Sequence, residues 1–146
     1  MIKRVYLETR FFGCSGGEEK LILSIINGLP KKVNFDINVR VKNNEENYVN
    51  SRVKFVKYPI GNYDLAIKFA SGNFSKKLIA DKKIVVSCGD NIFSFQKYFD
   101  AVWLESQDYI KNKLKIPYFI CCPYLEDNKK YIKLKKNYIS DSFKNG

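Results

Sequence analysis

The residues best placed to do chemistry lie in Gly13-Cys14-Ser15-Gly16-Gly17-Glu18-Glu19-Lys20, between an apolar strand pattern and an apolar helix pattern. A glycine-rich turn that opens a helix lets backbone N–H groups approach a ligand closely. The helix N-terminus also carries partial positive charge, so phosphate is the natural guest. Gly16, Gly17 and Glu18 are therefore candidate binding residues. Ser15 with Glu18 three residues on also fits a capping box, which is a purely structural use of the same residues.

Three further polar segments each follow an apolar run: Ser71-Gly72-Asn73, Cys88-Gly89-Asp90-Asn91 and Glu105-Ser106-Gln107. Ligands of an open parallel sheet bind at the carboxyl ends of its strands. On that reading Ser71, Asn73, Asn91 and Ser106 join the glycine turn around one cleft. Turns and helix caps use the same residue types, so the pattern has an ordinary explanation as well. Asp90, at a strand end, is the best-placed carboxylate for general-base work, and capping the helix near Asn91 is its alternative role. Glu8 and Glu105 lie near the same edge, and neither has a partner evident from the sequence.

Much chemistry is disfavoured by what the chain does not contain. It has no histidine, so a serine or cysteine nucleophile would lack its usual base. The four cysteines, at 14, 88, 121 and 122, form no C-x-x-C pair, and no zinc site of ordinary spacing is expected. Cys121 and Cys122 sit in an apolar run and read as buried thiols of a reducing compartment. A dinucleotide fingerprint needs G-x-G-x-x-G and an acidic residue closing the second strand. The glycines here run G-x-x-G-G, and the second strand ends in Arg40-Val41-Lys42. A phosphate-loop lysine followed by Ser or Thr is also missing. Neither cofactor nor metal is expected. Trp103 and the cluster Phe93, Phe95, Tyr98 and Phe99 read as packing stripes, because a base-stacking platform needs exposed rings among basic residues.

The elements that must position these residues follow from periodicity. Strands are expected at Ile2–Arg10, Phe35–Lys42, Val53–Tyr58, Tyr63–Ala70, Lys83–Ser87, Ala101–Leu104 and Tyr118–Cys122. Their short, unbroken apolar runs suit strands covered on both faces. Leu21, Ile22, Ile25, Ile26 and Leu29 mark a helix that Pro30 ends. Further helices are expected at Phe74–Asp81, Ile92–Phe99 and Gln107–Leu114, which gives the alternation of βαβ units. The predicted fold is α/β, a Rossmann-like three-layer sandwich with a mostly parallel sheet of six or seven strands. It occupies residues 1–127, and residues 128–146 form a basic tail with helical apolar spacing.

Charge adds a partner class. Twenty-six Lys and Arg against fifteen Asp and Glu give +11, a field that attracts phosphorylated small molecules, an anionic membrane surface or nucleic acid. A lysine-rich composition spread along the chain is the bland explanation. With no signal-peptide pattern and no apolar run of membrane-spanning length, a cytoplasmic location is expected, peripheral to the inner membrane face at most.

The motifs together resemble the N-terminal domain of GT-B glycosyltransferases of the retaining family 4 kind. Gly16-Gly17-Glu18-Glu19 before Leu21–Leu29 is similar to the family's glycine-glycine-x-glutamate helix opening. Asp100-Ala101-Val102-Trp103-Leu104-Glu105-Ser106 resembles its aspartate, apolar strand and helix-opening serine. Lys111–Ile116 and Phe119-Ile120-Cys121-Cys122-Pro123 resemble its basic helix and proline-ended strand. The likeness covers roughly residues 3–127. It implies the half that holds the sugar acceptor, with Gly16 and Gly17 in a loop near the donor diphosphate. Gly89 stands where the family often has histidine. The family's donor-binding domain, with its paired glutamates, has no counterpart in these residues. The resemblance therefore implies an acceptor-binding half that is incomplete without a donor-binding domain or subunit, with nucleotide sugar and acceptor as its ligands. The alternatives are a basic, non-enzymatic module for nucleic acid or another polyanion, and a small-molecule enzyme using Asp90.

Overall fold

The computed structural model describes residues 1–13, 17–41, 48–69, 72–87, 92–104 and 114–120. In chain order these form β1 (Arg4–Thr9), α1 (Gly17–Gly28), β2 (Asn34–Val39), β3 (Val53–Phe55), β4 (Asn62–Phe69) and β5 (Ile79–Ser87). Then come α2 (Ile92–Phe95), running into a 3-10 turn (Gln96–Tyr98), β6 (Ala101–Leu104) and β7 (Tyr118–Ile120). The seven strands make one sheet in the order β3-β2-β1-β4-β5-β6-β7, and every neighbouring pair is parallel. The α/β, Rossmann-like expectation holds.

Alternation along β1 divides the core between the two faces. Val5 and Leu7 join Phe35 and Ile37 of β2, Ile67 and Phe69 of β4, and Leu21, Ile22 and Ile26 of α1. Tyr6 faces the other way, with Ala66, Phe74, Leu78, Val85, Phe99, Val102 and Leu104. Helix α1 forms because its apolar residues recur at helical spacing and Glu18 and Glu19 stand in its first turn, where the helix dipole favours them. Each of its three buried side chains contributes about 1.5–3 kcal/mol of apolar burial. Past its end, the Arg52 guanidinium donates to the carbonyls of Ile26, Leu29 and Pro30 at 2.7, 3.3 and 3.1 Å. Carbonyls that a helix terminus leaves open thus receive a charged cap from the residue before β3.

The helix expected at Phe74–Asp81 is not there. Residues 72–78 are a bend and turn, and β5 begins at Ile79, four residues before the expected strand start. Chain length explains the correction. Asn62 pairs with Ile79, so the chain must return from Phe69 past the whole of β4, about 23 Å at about 3.3 Å per residue. Ten peptide steps (69 to 79) reach about 33–36 Å at full extension and span this distance as an open chain, whereas a helix would advance only about 15 Å. Phe74 and Leu78 mimic a helical spacing but fill the core from a non-helical connection. The segment expected at Ile92–Phe99 is helical only in part, as α2 and its 3-10 turn. Most of the segment 107–114, with the tail 128–146, lies outside the described residues.

Candidate functional site

Chain direction over the sheet reverses between β1 and β4. From β1 the chain moves through β2 to β3 on one side, and from β4 through β5 and β6 to β7 on the other. Connections leave the two strands on opposite faces, so a crevice opens at their carboxyl ends, where ligands of such sheets bind. β1 ends there in Glu8-Thr9, and β4 in Lys68-Phe69, with Glu8 opposite Lys68 and Thr9 opposite Phe69.

Glu8 and Lys68 are both buried, and the lysine is 0% exposed. The Lys68 ammonium donates to Glu8 Oε1 and lies 5.4 Å from the centre of the Phe74 ring. Arg40, just past β2, donates to the same oxygen from Nε and Nη2 at 3.0 and 2.6 Å. One carboxylate thus holds two cations. Burial pulls the Lys68 pKa below its ordinary value, opposed by the hydrogen bond and charge of Glu8. Beneath them, burial pushes the Tyr6 phenol up, and the Glu8 carboxylate adds to the effect. Sequence reasoning missed this cluster. Its signal was a single charge of each sign interrupting an apolar run, at position 8 in β1 and position 68 in β4.

The glycine segment, of which residues 14–16 lie outside the described residues, joins β1 to α1. Glu18 accepts from the Thr9 hydroxyl and from the Arg10 amide at 3.2 Å, and Glu19 accepts from the Gly13 amide at 3.1 Å. Glu18 therefore ties the helix start to the end of β1. Gly13, with φ of 88°, has a left-handed backbone that favours glycine. A Cβ added at Gly17 would meet nothing within 4 Å, so open space lies beside the first helical residue.

Among the other expected site residues, Asn73 follows β4 and is exposed, with its Oδ1 accepting from the Phe74 amide at 2.8 Å. Gly16, Ser71, Asp90, Asn91 and Ser106 lie outside the described residues, as do Glu105 and the four cysteines. The topology brings the strand ends that precede them to one edge. Among the described residues no three carboxylate or thiol groups converge as metal ligands would, and no helix is long and apolar enough to cross a membrane.

No protein-family model matches the chain, nor does any curated protein or solved structure.

Proposed function

We propose that the chain is the acceptor-binding half of a GT-B-type glycosyltransferase, which transfers sugar from a nucleotide sugar to an acceptor and needs a donor-binding domain or subunit to turn over. The observation that supports it most is the crevice between β1 and β4, with the start of α1 and the open space beside Gly17 near it. A polar ligand placed there meets backbone amides and the start of α1 rather than bulky side chains. Beneath it the buried Glu8–Lys68 pair holds Arg40, whose part-exposed side chain is the polar group a ligand would meet. Gly17 and Glu18, at the start of α1, contact the ligand in this reading together with Gly16, and Ser71, Asn73, Asn91 and Ser106 are the further candidate contacts. In this reading the chain's part is to bind and orient the acceptor. Asp90 is the candidate general base.

The test combines binding and turnover. Saturation-transfer NMR with a panel of uncharged mono- and disaccharides is expected to give contacts with the isolated chain. UDP-glucose and GDP-mannose are expected to bind weakly or not at all, and no sugar transfer is expected. Turnover of a nucleotide sugar by these 146 residues alone would contradict the incompleteness of the half. Failure of every saccharide to bind would remove the acceptor role.

A further inference from the structure

Beside the crevice, past the ends of β2 and β3, lies a second concavity of about 630 Å³, whose lining includes Asn38, Arg40, Phe55, Val56, Lys57 and Tyr58. Its far wall is held by the Asn38 amide, which donates to the Val56 and Lys57 carbonyls at 3.0 and 2.8 Å, and by the Val56 amide, which donates to Ile37 at 2.9 Å. The volume lies within the range of small-molecule sites.

Its charges are one-sided. Among the described residues no carboxylate lines it. Glu8, behind Arg40, is shared by two cations, so those three groups carry a net +1, and Lys57 adds a second positive charge. Arg40 reaches Glu8 through Nε and Nη2 only, which leaves its Nη1 donors without a partner among the described residues. Lys57 makes no ion pair among the described residues, and its ammonium stands 5.5 Å from the centre of the Tyr58 ring, which is 58% exposed. Unpaired guanidinium donors, an ammonium and an exposed aromatic face around one concavity match a ring that carries a phosphate.

We propose that this cleft is a binding site for a phosphomonoester carried on a ring, with Arg40 and Lys57 as its cations and Tyr58 as the wall for the ring. The site stands on its own geometry, whether or not the neighbouring crevice serves sugar transfer. A soluble sugar phosphate and a phosphorylated lipid headgroup offer the same chemistry.

Calorimetric titration with glucose 1-phosphate, and co-sedimentation with phosphatidylcholine vesicles containing phosphatidylinositol 4-phosphate, separate the two sources. Saturable heat with the sugar phosphate identifies a soluble ligand. Sedimentation with the vesicles and no such heat identifies the headgroup. In either arm Lys57→Gln is expected to weaken binding about tenfold, the loss of one charge-assisted contact. Lys31→Gln, an exposed lysine before β2 at the opposite edge, is expected to change nothing. Lys57 makes no ion pair among the described residues, so its variant tests the site even if Arg40→Gln disturbs Glu8. No binding in either arm, or equal weakening by Lys57→Gln and Lys31→Gln, would overturn the proposal.

Discussion

Lys68 has no route to water in the folded chain, and its charge is held by one carboxylate. Removing that carboxylate leaves a buried cation without its counter-charge, so Glu8→Gln is expected to cost about 3–5 kcal/mol in urea unfolding at neutral pH. Arg40→Gln should cost less, because its side chain is 44% exposed and Lys68 still neutralises Glu8. Replacing both buried partners, Glu8→Leu with Lys68→Met, should cost less than the two single changes added together. The Lys68 pKa is lowered in the fold, so the unfolded chain holds this proton more tightly and the group's contribution rises with pH, up to the ordinary value of 10.5. Glu8→Gln lowers that pKa further, so its deficit relative to wild type should narrow as pH rises toward 10.5. Asp64 works at the opposite end of the scale. It accepts from the Lys3 and Arg4 amides at 2.7 and 2.8 Å, which holds its carboxyl below 3.8. That stability is present above pH 3.8 and is lost as pH falls through the folded value, so Asp64→Asn should flatten the acid limb of a stability-against-pH curve. A flat limb in the wild type would contradict this role. In sequence Glu8 has no visible partner, because Lys68 is 60 residues away and only the β1–β4 register brings them together.

At the scale of elements, strands were more legible than helices. Apolar runs located all seven strands, since a strand buried on both faces needs continuous apolar residues. They could not locate the ends: β3 stops at Phe55, and Val56 instead turns into the core on the far face. The helix expected at Phe74–Asp81 failed because local spacing carries no information about the distance the connection must span. Of the glycine segment, Gly13 and Gly17 lie among the described residues and differ in backbone demand. Gly13 is the position that needs a left-handed backbone, while Gly17 has open space around it. Gly13→Ala is therefore expected to destabilise the fold by about 1–2 kcal/mol. Gly17→Ala should be neutral or stabilise by up to about 1 kcal/mol. If the turn receives a ligand, Gly17→Ala should nevertheless weaken saccharide binding, a split that a purely structural glycine would not give. The Arg52 cap on α1 gives an independent check of helix anchoring. Arg52→Gln should lower stability by about 1–3 kcal/mol without moving the site, as read by thermal unfolding and near-UV dichroism.

For the whole molecule, one parallel sheet with a reversal at β1 and β4 gathers chemistry from distant parts of the chain at one edge. The net charge of +11 sets a background attraction for anions, and only location separates it from recognition. Binding through a diffuse basic field falls steeply with salt, whereas an uncharged saccharide seated in a crevice should be nearly indifferent to it. The most direct measurement is amide chemical-shift mapping of the isotope-labelled chain during titration with the best-binding uncharged saccharide, at low and at high salt. The account predicts saturable shifts confined to Thr9–Gly13, Gly17–Lys20 and Gly72–Phe74, unchanged by salt. Shifts at the amino ends of the strands, around Lys3, Val33 and Asp100, or shifts that vanish as salt rises, would contradict it.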